Sequence, residues 1–165
     1  MATATYYFDG NLEKTATAGS WSDLNDGFDG DIATNTSINV SSTSKIEARG
    51  TNSGASLGGI SQVKARIYAR SGSDFAGIIA QIKIANSSGE SLGTPQRGAF
   101  NNLGWGDYVT LNTPTGDWDW TKLNQLFVEI SNFGNDNGIA RLAKIELEVT
   151  YSSYNPAFGH RRLLI

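Results

Sequence analysis

Along much of this chain apolar and polar side chains alternate with a period of two, and a chain so patterned must build sheets. From residue 143 to 151, Ala143, Ile145, Leu147, Val149 and Tyr151 fall on one side, with Lys144, Glu146, Glu148 and Thr150 on the other. Successive side chains point to opposite faces only in extended backbone, so this segment predicts a long strand with one dry and one wet side. Val63, Ala65, Ile67 and Ala69 alternate with Lys64, Arg66, Tyr68 and Arg70 in the same way, and Ile78, Ala80, Ile82 and Ile84 with Ile79, Gln81 and Lys83. Leu126, Val128 and Ile130 predict a shorter strand, Tyr108 to Leu111 another, and the Thr- and aromatic-rich run Thr3 to Phe8 one that ends at the hairpin dipeptide Asp9-Gly10.

The spacers between these runs carry turn chemistry. Ser71-Gly72-Ser73-Asp74, Asn86-Ser87-Ser88-Gly89 and Asn135-Asp136-Asn137-Gly138 supply residues that tolerate positive φ. Helical signal is confined to Trp120–Gln125, where Asp119 or Thr121 can cap a turn or two. Several antiparallel strands with one wet face and almost no helix predict an all-β fold, an antiparallel β-sandwich of jelly-roll type with one short helical turn near 120–125. No repeat or internal boundary interrupts residues 1–151, which are expected to form the one domain.

Composition excludes several function classes. The 165 residues carry 13 Lys+Arg against 16 Asp+Glu, a net charge of −3, without the broad basic face of a nucleic-acid binder. With no Cys there is no disulfide, thiolate metal site or Cys nucleophile. The single His160 lies outside the predicted body, so no Ser-His-Asp arrangement and no His-based metal site can assemble within it. Phosphate-cradling glycine motifs are missing from the sequence. Asp107, Asp117, Asp119 and Glu129 lie around a Trp-rich segment, where a carboxylate pair could in principle hydrolyse glycosides. Small sandwiches more often keep such loop acids solvated, and no enzyme activity is expected. The first residues, Met1-Ala2-Thr3-Ala4-Thr5, have neither the positive patch nor the apolar core of a secretory signal, and no run is long enough to span a membrane.

After Tyr151 the pattern ends. Residues 152–165 have no period and no acid, include the adjacent Arg161 and Arg162, and finish on Leu163-Leu164-Ile165. Such a stretch is either a frayed terminus or an extended arm that docks on a partner. The arm is the reading taken here, with Tyr154, Phe158, Arg161, Arg162, Leu163, Leu164 and Ile165 as its partner-binding residues.

The stretch Trp21-Ser22-Asp23-Leu24-Asn25-Asp26-Gly27-Phe28-Asp29-Gly30-Asp31-Ile32-Ala33-Thr34 concentrates acids and glycines between aromatic residues. Loops of this kind can wrap a hard cation with carboxylates and free carbonyls, which makes Asp29 and Asp31 candidate ligands of a structural Ca2+. They can equally bond their own backbone as Asx turns. Phe28-Asp29-Gly30-Asp31 with Thr34 resembles a signature of discoidin-like and galactose-binding-like jelly rolls, a likeness that implies a calcium in this loop. The closing run Ala140–Tyr151 is similar to the last strand of those domains. The same layout resembles β-sandwich structural proteins of tailed-phage virions, through Trp105, Trp118, Trp120, Leu123, Leu126, Val128 and Ile130. The resemblance spans roughly residues 20 to 151 and consists of short motifs.

Trp105, Trp118 and Trp120 sit among Gly, Asp and Pro, where stacking rings for a sugar would be placed; alternatively Trp118 and Trp120 face inward and plug an open end of the sandwich. Lys64, Arg66 and Arg70 form a small basic stripe, either solvated or set against an acidic neighbour. The expected function is that of a non-enzymatic virion protein, a capsid decoration or cement protein or a tail or head-fibre component. It would contact the major capsid protein or tail proteins, form homo-oligomers such as trimers, and assemble in the host cytoplasm before release by lysis. No nucleic acid, membrane or cofactor other than calcium is expected to bind. The second reading is a carbohydrate-binding module with a structural calcium and a sugar platform of Trp105, Trp118 and Trp120.

Overall fold

A computed structural model of the chain describes residues 1–16, 21–39, 45–54, 56–71, 77–84, 91–93, 96–97, 99–100, 103–133 and 139–153. The strands are β1 (Ala2–Ala16), β2 (Thr36–Asn39), β3 (Lys45–Thr51), β4 (Ile60–Ser71), β5 (Gly77–Ile84), β6 (Gln96–Arg97), β7 (Ala99–Phe100), β8 (Gly104–Trp105), β9 (Val109–Thr110), β10 (Leu126–Phe133) and β11 (Ile139–Tyr151). A 3-10 turn, Leu24–Gly27, and one short helix, α1 (Trp120–Asn124), are the helical elements among the described residues. The proposed arm from Tyr154 to Ile165, including Phe158, Arg161, Arg162, Leu163 and Leu164, lies outside the described residues.

The strands form two layers joined through β1. In the first layer β11 lies between the start of β1 and β4, and β7, β8 and β9 pair with the far edge of β4, β7 in parallel and the other two antiparallel. In the second layer the order is β1-β3-β10-β5-β6. Taking β1, β3, β4, β5, β6, β9, β10 and β11 as eight strands in chain order, one layer reads first-eighth-third-sixth and the other second-seventh-fourth-fifth. That interleaving is the jelly roll the period-two pattern predicts.

β1 departs from the sequence expectation. The Asp9-Gly10 pair does not close a hairpin; β1 continues through it and changes layers. Residues 2–7 pair with β11, whereas Glu13–Ala16 pair with β3, and the register shifts between Phe8 and Glu13. Gly10 has φ +63°, and Asp9 Oδ1 accepts the Asn11 N–H at 3.0 Å, a local turn inside a continuing strand. Where β1 leaves the first layer, β2 takes its place beside β11, pairing Thr36 with Leu142.

The core lies between the layers. Ile46 and Ala48 of β3, Val63, Ala65, Ile67 and Ala69 of β4, and Leu126, Val128 and Ile130 of β10 meet Leu142, Ile145, Leu147 and Val149 of β11. Phe8 is fully buried at the layer crossing, and Leu123 of α1 and Trp118 close the core at one end. The helix begins where predicted: Asp119 is the cap, its Oδ1 accepting the Lys122 N–H at 2.7 Å.

Candidate functional site

Among the described residues, the outer face of the first layer gathers a dense set of charged and aromatic side chains. Because β4 buries Val63, Ala65, Ile67 and Ala69, its alternate residues Lys64, Arg66 and Tyr68 face outward. The register lines them up with β11 and β1. Arg66 stands opposite Glu146, which is opposite Tyr7; Lys64 stands opposite Glu148, which is opposite Thr5. Tyr68 stands opposite Lys144 on one side and Trp105 on the other.

These residues lock into one web. Glu146, only 6% exposed, accepts at Oε1 from Arg66 Nε at 2.8 Å, Arg66 Nη2 at 2.6 Å and the Tyr108 hydroxyl at 2.5 Å. The Arg66 guanidinium lies between two rings, 4.0 Å from the Trp105 centroid and 4.4 Å from that of Tyr108. Tyr68 meets Trp105 edge-on at 5.1 Å. Lys64 Nζ bridges Glu148 at 2.9 Å, and Lys144 Nζ lies 3.7 Å from Glu146 Oε2 and 5.3 Å from the Tyr7 ring centroid. Burial, followed by the hydrogen bond to Glu146, raises the Tyr108 pKa far above the ordinary phenol value, which keeps its hydroxyl a donor.

The acid-and-glycine loop borders this face. Gly30, at φ +82°, packs so closely on Tyr7 that an added Cβ would lie 2.6 Å from its ring. Asp29 Oδ1 accepts the Asp31 N–H at 2.8 Å, Asp31 Oδ1 the Ala33 N–H at 2.8 Å, and Asp29 Oδ2 the Thr34 hydroxyl at 2.6 Å. These are Asx turns in which the carboxylates shape their own loop. A calcium shell takes six to eight oxygens, and no group of three or more His, Cys, Asp or Glu converges among the described residues. As folded, Asp29 and Asp31 direct these oxygens to their own loop.

The three candidate tryptophans occupy different places. Trp105 is half-buried on the outer web. Trp118 is 6% exposed and belongs to the core. Trp120 packs against that core, meets Tyr6 and Tyr151 edge-on at 5.9 and 5.7 Å, and donates Nε1–H to the Gly58 carbonyl at 2.6 Å. The rings thus share no common platform.

The basic stripe is neutralised within the molecule where it is described: Lys64 and Arg66 are paired with β11 acids, and the side chain of Arg70 lies outside the described residues. The four acids near the Trp-rich segment are also dispersed. Asp119 caps α1 and lies 3.8 Å from Lys122 Nζ, Glu129 bridges Lys45 at 3.2 Å on the second layer, and Asp107 and Asp117 are exposed in loops. Sequence reasoning found Arg66 but not Tyr108 or Glu146 as its partners. The only signal was their place on the wet side of alternating strands, which says nothing about which strand lies next door.

Compared with known proteins, the sequence matches no protein-family model and no curated protein.

Proposed function

We propose that this protein is a non-enzymatic structural component of a tailed-phage virion, a capsid decoration or cement protein that seats the outer face of its first layer on a neighbouring shell subunit. The observation that carries the docking is the cluster of half-buried Trp105, Tyr68, Tyr108 and Arg66 on that face. Trp, Tyr and Arg dominate the energetic centres of protein interfaces. Here Glu146 already holds Arg66 and Tyr108, and Trp105 packs on Arg66 and Tyr68, so little side-chain freedom remains to be lost on binding. The virion setting is supported by the sequence resemblance across residues 20 to 151. An extended arm at 154–165 would add a second contact, and two contacts on one particle raise avidity steeply.

The test is to purify particles on a density gradient from the cells that naturally produce the chain. The expected result is co-migration with shell subunits at fixed stoichiometry, lost on Trp105→Ala in a variant that still melts cooperatively. A monomer that stays in the unsedimented fraction would overturn the proposal, as would a Trp105→Ala variant that remains fully particle-bound.

A further inference from the structure

The opposite face of the molecule carries a second feature that the docking reading leaves unused. On the outer side of the second layer, Glu13 of β1, Arg49 of β3 and Phe127 of β10 stand in one cross-strand row, and Thr15 and Glu47 stand in the next. These five residues, with Ala48, line a cavity of about 240 Å³. Its charges are unspent. Lys45 and Glu129 bridge one another nearby, but Arg49, Glu13 and Glu47 form no ion pair among the described residues. Among the described residues the buried Arg49 Nε–H has no hydrogen-bond partner. Buried donors are almost always satisfied, so an orphan beside a polar cavity asks for an acceptor from outside the chain.

We infer that this cavity binds a neutral saccharide unit. The guanidinium offers donors only, the two carboxylates acceptors only, and the Thr15 hydroxyl both. A sugar hydroxyl accepts and donates at once, so adjacent hydroxyls can take the Arg49 N–H groups and give their protons to Glu13 and Glu47. A carboxylate ligand would meet two carboxylates of its own sign, and an ammonium ligand, although drawn by those carboxylates, has no acceptor for the Arg49 Nε–H. A neutral polyol meets neither penalty. Phe127 is half-buried on the wet side of β10, while Leu126, Val128 and Ile130 fill the core, and its ring supplies a wall for the apolar C–H face of a pyranose.

The test is an NMR titration of the full chain with methyl α-glucopyranoside, methyl β-galactopyranoside and N-acetylglucosamine, following backbone amides and the Arg49 Nε–H. Sodium acetate and guanidinium chloride serve as probes for acidic and basic side chains of a protein partner. At least one sugar is expected to give saturating shifts at Glu47, Ala48, Arg49 and Phe127. Arg49→Lys, which keeps the charge but removes the Nε donor, is expected to weaken that binding by about tenfold, or 1.4 kcal/mol, with the melting temperature retained. Phe127→Leu is expected to weaken it as well. No shift with any of the three sugars would overturn the inference. So would equal affinity in Arg49→Lys, or saturation of the same amides by acetate or guanidinium in place of the sugars.

Discussion

Glu146 shows how one residue's character depends on its neighbours across two strands. A carboxylate this buried would be costly alone, yet its Oε1 receives three donors from Arg66 and Tyr108, and Lys144 lies beside Oε2. The arrangement makes Tyr108 a group whose protonation is linked to folding. In the unfolded chain its phenol ionises near the ordinary value of 10.0, whereas in the fold burial and Glu146 hold the proton to higher pH. The folded state therefore binds the extra proton, and the stability this group contributes is complete below pH 10.0 and lost as pH rises toward the folded pKa. Tyr108→Phe is expected to flatten the alkaline fall in melting temperature. Part of that fall will remain, because burial and, secondarily, Tyr151 also raise the Tyr6 pKa. At neutral pH the same substitution should cost about 1 kcal/mol for the lost hydrogen bond, read from urea unfolding.

At the scale of elements, the loop after the 3-10 turn and strand β1 hold each other in place. The left-handed φ of Gly30 and its contact with Tyr7 allow no side chain at that position. Gly30→Ala should destabilise the protein by about 2 kcal/mol from backbone strain and the ring clash, measured by urea unfolding. Adding Tyr7→Ala should relieve the clash and leave the backbone share. Since Asp29 and Asp31 already bond Asp31 N–H, Ala33 N–H and the Thr34 hydroxyl, the melting temperature should be the same with excess calcium as with EDTA. A clear rise in calcium would show that these turns open to bind it.

At the scale of the molecule, β1 is shared by both layers and Phe8 sits fully buried at the crossing. One core fed by both layers should unfold as one unit. Phe8→Ala is expected to cost about 4 kcal/mol while Trp fluorescence and far-UV circular dichroism still report a single coincident transition. Two separate transitions would mean that the layers are independent. The pairings that build the layers join distant parts of the chain, such as Ala2 with Tyr151 and Lys45 with Ser131. Folding should accordingly be slow for a domain of this size, in the range of milliseconds to seconds.

The sequence alone determined the class of fold, the long strands β4 and β11 with their dry and wet sides, and the short helix near 120–125 with Asp119 or Thr121 as its cap, because period-two alternation and capping are local and each is written within a few consecutive residues. Local reading failed at β1, where Asp9-Gly10 is as suitable for a turn inside a strand as for a hairpin; the pairing partners on either side decide between them. It also passed over β3, whose apolar residues Ile46 and Ala48 are too few to stand out. Only the tertiary structure separated Trp118 in the core from Trp105 on the outer face, joined Glu146 to Arg66 and Tyr108, and left Arg49, opposite Glu13, without an ion pair among the described residues. Those outcomes depend on cross-strand register between distant segments, such as Arg66 with Glu146 and Arg49 with Phe127, and register is set by how the two layers bury their shared core as a whole.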